Sequence, residues 1–303
     1  MTEFQPHRPV LVGVDGSPSA EHAVRWAARE AARRGAPLRL LHACYLPPTK
    51  PYVPVPLPRS YRDALTEQGH EYLAAADRVA LRAAPDVRIR KDLRIGQAAE
   101  QLVRESASAD LVVLGSRGLG GFSGLLVGST AVELAAHGHC PVVVVRGRTL
   151  DTAPPEQGPV VVGVDGSPGS DAAVEFAFEA AASRGVPLVA VHTWNDIALG
   201  ETWALAPLGL DYQQITEDER RLLAERLAGW RAKYPDVELE QHTIKDRPVR
   251  GLLNEADGAQ LIVVGSRGLG GFRGMLLGST SQALLHHSTC PVAVVRPHRP
   301  ETK

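Results

Sequence analysis

The sequence predicts an α/β fold built twice in tandem, with helices on both faces of a parallel sheet in each copy. Short β-branched runs alternate with longer segments whose apolar residues recur at helical spacing, which is typical of parallel sheets. The segment VGVDGSP at Val12–Pro18 returns unchanged at Val162–Pro168, an offset of 150 residues. Gly115–Arg146 and Gly265–Arg296 share 21 of 32 positions at the same offset. A period this long indicates domain duplication, because solenoid repeats are much shorter.

Strands and helices alternate along the first copy, and the second copy follows the same order. We predict strands at Val10–Val14, Leu38–Ala43, Val87–Leu93, Leu111–Leu114 and Val142–Val145. We predict helices at Ala20–Arg34, Arg59–Ala84, Ala98–Ala107 and Ser129–His137. The first helix is expected to stop at Gly35, since glycine is the usual residue just beyond a helix C-terminus. Right-handed crossovers should connect the parallel strands.

The domain boundaries follow from the repeat and from one polar segment. A chain of 303 residues is long enough for two domains, each with its own core. The stretch GRTLDTAPPEQG at Gly147–Gly158 is polar and contains proline and glycine, which favours a linker. We therefore predict a first domain over residues 1–147, a linker over 148–158 and a second domain over 159–303.

Composition excludes several classes of partner. The net charge of −1 gives no general attraction to nucleic acid or to anionic membranes. From this charge we expect neither nucleic-acid nor membrane partners. The N-terminal stretch MTEFQPHRPV lacks an apolar segment of the secretory kind, so we expect a cytoplasmic protein. The three cysteines form no CxxC pair, which favours reduced thiols, and we predict no metal site.

A glycine-rich loop follows the fourth predicted strand. It runs GSRGLGGFSG from Gly115 and leads to Gly128, Ser129 and Thr130 at the start of a helix, and the second copy repeats the arrangement. Glycines let the backbone approach an anion closely, and a helix N-terminus supplies free N–H groups and a favourable dipole. Arg117 adds a positive charge. Glycines after a strand can also form an ordinary turn, but recurrence before a helix in both copies favours a phosphate site.

Two familiar phosphate motifs are absent. The sequence has no GxxxxGK[ST], and its glycines follow the fourth strand, whereas the Rossmann fingerprint follows the first. Asp15 stands after the first strand instead. If strands one and four are neighbours, Asp15 and the Gly115 loop face one crevice at the carboxyl end of the sheet. Asp15 would then suit ribose hydroxyls or an adenine amine.

These residues resemble the universal stress protein family. The spacing Gly115-x₂-Gly118-x₉-Gly128-Ser129, its copy from Gly265, the opening VGVDGSP and the closing CPVxVV are all similar to that family. The resemblance covers nearly the whole chain as a tandem pair of the actinobacterial type. It implies an open twisted five-stranded parallel sheet of order 3-2-1-4-5 in each copy, similar to adenine nucleotide alpha hydrolases.

The resemblance also implies ATP, with or without Mg²⁺, bound between strands one and four. The residues expected at the nucleotide in the first copy are Val14, Asp15, Ala43, Gly115, Arg117, Gly118, Gly128, Ser129 and Thr130. Those expected in the second copy are Val164, Asp165, Thr193, Gly265, Arg267, Gly268, Gly278, Ser279 and Thr280. Family members tend to pair through the fifth strand, so Val142–Val145 and Val292–Val295 are expected to join antiparallel within the chain, and a homodimer is a further expectation.

Three functions are compatible with these residues. The first is a non-enzymatic, ATP-dependent regulator in stress or dormancy, since the sequence shows a phosphate loop but no nucleophile–base pair. The second is a slow ATPase or a nucleotidyl-transfer enzyme of the same superfamily, which requires a positioned base or a metal clamp on the transferred phosphate. The third is a module that binds another adenine nucleotide, such as cyclic AMP.

Overall fold

The computed structural model describes residues 7–45, 59–119, 127–149, 152–194, 212–270 and 276–297. The chain divides into two compact units, Met1–Pro154 (unit 1) and Pro155–Lys303 (unit 2). Part of the predicted glycine loop, Gly120–Gly124, lies outside the described residues.

Each unit alternates strands and helices in the predicted order. Unit 1 consists of β1 (Val10–Gly13), α1 (Pro18–Arg34), β2 (Leu38–Cys44), α2 (Arg59–Ala83), β3 (Ile89–Ile95), α3 (Ala98–Ser106), β4 (Leu111–Gly115), α4 (Ser129–His137) and β5 (Val142–Val145). Unit 2 consists of β6 (Val160–Gly163), α5 (Pro168–Arg184), β7 (Leu188–Trp194), α6 (Tyr212–Lys233), β8 (Leu239–Lys245), α7 (Pro248–Glu255), β9 (Leu261–Gly265), α8 (Ser279–His287) and β10 (Val292–Val295).

The strands of each unit form a parallel sheet with the expected order. In unit 1 the order is β3-β2-β1-β4-β5, and in unit 2 it is β8-β7-β6-β9-β10. β1 pairs with β2 through Val10 and Leu38 and with β4 through Val10 and Leu111. These strands are almost continuous apolar runs because helices cover both faces of the sheet. The predicted fold class and strand order are confirmed.

Local sequence fixes where the first helix of unit 1 begins and ends. The Ser17 side chain accepts a hydrogen bond from Ala20 N (3.1 Å), and Pro18 stands in the first turn, where its missing N–H has no cost. Gly35 adopts φ 62°, and its N–H bonds the last carbonyls of the helix. Ser167, Pro168 and Gly185 repeat this pattern around α5.

The third strand of unit 1 starts two residues later than predicted. Val87 N donates to Ala84 O (3.2 Å), so the chain is still turning out of α2 where the apolar pattern predicted a strand. Pairing with β2 begins at Ile89, opposite Leu38. Among the helices described, none is both long and apolar enough to cross a membrane.

Candidate functional site

Each unit has one cavity of about 470 Å³ at the carboxyl ends of its central strands. In unit 1 (cleft 1) it is lined by all nine residues predicted for the first copy: Val14, Asp15, Ala43, Gly115, Arg117, Gly118, Gly128, Ser129 and Thr130. In unit 2 (cleft 2) it is lined by all nine predicted for the second: Val164, Asp165, Thr193, Gly265, Arg267, Gly268, Gly278, Ser279 and Thr280. The fold therefore brings each predicted set together.

The position of the clefts follows from the strand order. β1 lies between β2 and β4, so the chain leaves β1 toward one side of the sheet and returns to the other side later. Crevices open at such points of reversal, beyond the carboxyl ends of the strands. The condition that strands one and four be neighbours is met, and Asp15 and the Gly115 loop share one cleft.

The Asp15 carboxylate ties two loops together. Its Oδ1 accepts a hydrogen bond from Ser17 N (3.0 Å), and its Oδ2 accepts one from Leu119 N (2.9 Å), which lies in the glycine loop. A Cβ on Gly118 would collide with Oδ2, so the contact requires glycine there. In unit 2, Asp165 makes the same two bonds. Sequence reasoning assigned these carboxylates to a nucleoside and missed their role in the loop, although each oxygen keeps a lone pair for a further donor.

Gly115 lies against the start of α1. A Cβ on this residue would stand 2.6 Å from the carbonyl carbon of Ser19 and 2.7 Å from its oxygen. Arg117 N donates to Ser19 Oγ (3.3 Å), and Ser17 Oγ donates to Arg117 O (3.3 Å). Gly115 thus allows the β4 loop to pack on the α1 N-terminus.

The N-terminus of α4 opens into cleft 1 without a side-chain cap. Gly128 is the N-cap residue, and it has no side chain to satisfy the first N–H groups of the helix. Among the described residues, the nearest neighbours of a Cβ on Gly128 would be Ser116 O and Arg117 Cα, at 3.7 and 3.9 Å, which is ordinary contact. The fold would therefore accept the serine or aspartate that usually caps a helix. Gly278 caps α8 in the same way.

Arg117 brings positive charge to the same end of cleft 1. Its side chain is half-buried, and its Nε is enclosed without a hydrogen-bond partner among the described residues. A buried donor without a partner costs free energy, so an acceptor in the cavity would be stabilising. Arg267 is the exposed counterpart in cleft 2.

The opposite end of cleft 1 has apolar walls. Leu41 and Ala43 come from β2 and Ala98 and Leu102 from α3, facing Val14 at the end of β1. Sequence reasoning did not select the α3 residues. The signal available was the start of α3 directly after β3, which places its first turns at the carboxyl end of the sheet.

His42 and His192 make matching contacts in the two units. His42 Nδ1 donates to Val14 O (2.7 Å), and His42 also lines cleft 1 and packs edge-on against Tyr72. His192 Nδ1 donates to Val164 O (2.7 Å), and its Nε2 lies 2.9 Å from Glu219. Both rings fix the backbone at the end of the first strand of their unit. Among the described residues, no group of three or more His, Cys, Asp and Glu is placed to hold a metal ion.

Comparison with known proteins agrees with both halves of the chain. The model of the universal stress protein family matches residues 6–146 and 158–296. A universal stress protein of Mycobacterium tuberculosis is 39% identical over 291 residues, which is 95% of this chain and 96% of the relative. A universal stress protein of Mycolicibacterium smegmatis is 40% identical over 291 residues, 95% of this chain and 97% of the relative.

A solved structure shows the same fold. The crystal structure of a universal stress protein from Archaeoglobus fulgidus has a TM-score of 0.68 and 21% sequence identity, and the match covers 97% of both chains. The family match to both units and the full-length relatives together identify this chain as a member of the universal stress protein family.

Proposed function

We propose that each unit binds one ATP molecule and that the chain acts as a nucleotide-dependent regulator in a stress or dormancy response. The observation that carries the proposal is the uncapped N-terminus of α4, where Gly128 stands although the fold has room for a capping side chain. Free N–H groups, the helix dipole and the Arg117 guanidinium all favour a polyanion at this point.

The two ends of the cleft suit the two ends of a nucleotide. β2 and β4 lie on either side of β1, so Ala43 and the β4 loop are separated by roughly 10 Å, two strand spacings. Phosphates at α4 would leave the base near Leu41, Ala43 and Leu102, where the walls are apolar. Asp15 stands between the two ends and has lone pairs left for ribose hydroxyls.

The hydrogen bonds of the Asp15 carboxylate favour a regulator over an enzyme. Asp15 is the acidic residue in the described lining of cleft 1, and both of its oxygens already accept backbone N–H groups. With its remaining lone pairs on ribose hydroxyls, Asp15 would not be available to take a proton from a group attacking the phosphates. ATP occupancy would then act by changing which conformation, and so which surface, is populated.

The first test is to denature protein purified without added nucleotide and to count what is released. We expect about two ATP per chain, one at the helix that begins after Gly128 and one at the helix that begins after Gly278. Release of ADP would indicate turnover and favour the ATPase alternative. Displacement of ATP by cyclic AMP at comparable concentration would assign the cleft to another adenine nucleotide.

Substitution of the N-cap glycines makes the test specific to each cleft. Gly128→Asp would cap α4 with its own carboxylate and repel phosphate, while the helix gains a good N-cap. We expect the released ATP to fall from about two to about one per chain, with an unchanged or slightly raised melting temperature in the absence of ATP. Gly278→Asp is the matched variant for cleft 2, and the double variant should release none. Retention of two ATP by the double variant would show that the phosphate end is assigned wrongly.

A further inference from the structure

Cleft 1 and cleft 2 share their phosphate ends and differ in hydroxyl groups elsewhere. Alanines at positions 20, 43 and 131 of unit 1 correspond to Ser170, Thr193 and Ser281 in unit 2, and all of them line the clefts. Cleft 2 therefore carries three hydroxyl groups that cleft 1 lacks.

Two of these hydroxyls already have partners within the protein. Ser281 Oγ donates to Gly265 O (2.6 Å), and Ser170 Oγ accepts from Asp165 N (3.2 Å). The Thr193 hydroxyl has no hydrogen-bond partner in the part of the chain that the structure describes, although the residue is half-buried at the cavity wall. This hydroxyl is therefore available for a hydrogen bond with a ligand that enters cleft 2.

Packing holds the Thr193 side chain in place. Its Cγ2 methyl lies against Gly251 of α7, where an added Cβ would approach it to 2.8 Å. At the matching positions of unit 1, the smaller Ala43 is accompanied by the larger, buried Gln101. Thr193 and Gly251 thus fit as a pair, with the methyl toward the helix and the hydroxyl as the remaining branch.

Thr193 lies at the end of cleft 2 away from the phosphate site. It is the penultimate residue of β7, and β6 separates β7 from β9, whose loop leads to α8. Val191 and Leu252 provide apolar walls beside it. This is the end where the base of a nucleotide would lie, and a threonine hydroxyl can accept a hydrogen bond from an exocyclic amine.

We infer that Thr193 is a specificity-determining residue by which cleft 2, unlike cleft 1, recognises the amine-bearing edge of an adenine base. This inference rests on the proposed binding of ATP. Cleft 1, with Ala43 in the same place, discriminates less between purines with and without this amine, so the two clefts of one chain differ in ligand preference.

The test measures binding to cleft 2 alone, in the full chain carrying Gly128→Asp. Thr193→Val keeps the β-branched shape and the methyl against Gly251, and it removes only the hydroxyl. Calorimetric titration compares ATP with purine riboside triphosphate, which lacks the exocyclic amine. We expect Thr193→Val to weaken ATP binding about five-fold, as expected for one neutral hydrogen bond, and to leave purine riboside triphosphate unchanged. Thr193→Ser, which keeps the hydroxyl, should retain the preference for ATP.

The outcomes separate this inference from the proposed function. Equal weakening of both ligands by Thr193→Val would assign Thr193 to the shape of the cleft, and no weakening of either would also overturn the inference, while ATP binding stands in both cases. If the Gly128→Asp chain binds neither ligand but the unsubstituted chain binds ATP, cleft 2 is not a nucleotide site. Absence of binding to the unsubstituted chain would overturn the proposed function itself.

Discussion

At the scale of single residues, glycines of one short motif have different reasons to be glycine. Gly115 packs on the backbone of Ser19, and Gly118 leaves room for the Asp15 carboxylate. Gly128 has space for a side chain and lies at an uncapped helix start. Gly115 and Gly118 allow the loop after β4 to pack closely against the residues that follow β1. Gly128 leaves the first N–H groups of α4 without a side-chain cap.

Gly115→Ala should destabilise the fold, because its Cβ would overlap the Ser19 carbonyl group, which is backbone and cannot turn away. We expect the free energy of unfolding to fall by about 1–3 kcal/mol, as in other overpacked sites. Gly128→Ser is the control, and it should leave stability unchanged or raise it by a few tenths of a kcal/mol. Urea unfolding measures both, and equal stability of the two variants would contradict the packing role of Gly115.

At the scale of elements, unit 1 has an arginine-centred ionic network between β2, β3 and α3, whereas the matching described positions of unit 2 hold a contact between His242 and Glu255. The buried Arg39 guanidinium contacts Asp92 and also Glu105, the latter at 2.8 Å. Burial alone would raise the pKa of both carboxyl groups, but the hydrogen bonds from Arg39 and the charges of Arg39 and Arg94 outweigh it and lower each pKa below its ordinary value. In unit 2, Val189 replaces the arginine.

The direction of these shifts predicts an acid-sensitive contribution to stability. Because each carboxyl pKa is lower in the folded chain, the stabilisation is fully present above about pH 4.5, the ordinary range of Asp and Glu. It is lost as the pH falls through the lower pKa values of the folded state. Arg39→Met should cost about 3 kcal/mol at pH 7, since it leaves buried carboxylates without their main partner.

Hydrogen exchange in β2 and β3 of the full chain measures this cost. We expect the difference between Arg39→Met and the unsubstituted chain to shrink at pH 3, because Asp and Glu of the unfolded chain are largely protonated there and must lose their protons to join the network on folding. Val189→Met changes the matching position of unit 2 and should cost less than about 1.5 kcal/mol with little pH dependence. A cost for Arg39→Met that is the same at pH 7 and pH 3 would exclude the ionic explanation.

At the scale of the whole molecule, two units of one fold share most residues of the glycine loop and differ at other residues of their clefts. The predicted pairing of Val142–Val145 with Val292–Val295 stays a prediction, as do a homodimer and a cytoplasmic location. Each of these strands is wholly apolar and stands last in the strand order of its unit. An apolar edge of this kind readily pairs with another strand.

The pairing predicts how a single unit would behave. Residues 1–154 expressed alone would expose the edge of β5 and should self-associate through it. Sedimentation is expected to give a dimer for this fragment, since an unpaired apolar edge strand readily pairs with another strand. A monomeric fragment would argue against strand pairing.

Much of the fold follows from local sequence. Alternation of strand and helix patterns, the repeat at 150 residues and the helix stop at Gly35 were sufficient to predict the element order, and α4 and β5 have the predicted bounds. The start of β3 was predicted too early because Val87 fits the apolar pattern of the strand. In the structure, the Val87 N–H bonds to Ala84 O, so Val87 belongs to the turn that follows α2. The predicted cleft residues do come together, because the strand order places them at one end of the sheet.

Periodicity and the internal repeat were enough to predict the duplication and the fold class, and the resemblance to universal stress proteins supplied the strand order and the full set of cleft residues. What each residue contacts depends on tertiary packing: Asp15 holds the glycine loop, Gly115 packs on Ser19, and the Thr193 hydroxyl is left without a partner among the described residues. Such contacts join residues about 60 to 100 positions apart, and their geometry depends on how helices and strands pack, which no local pattern records.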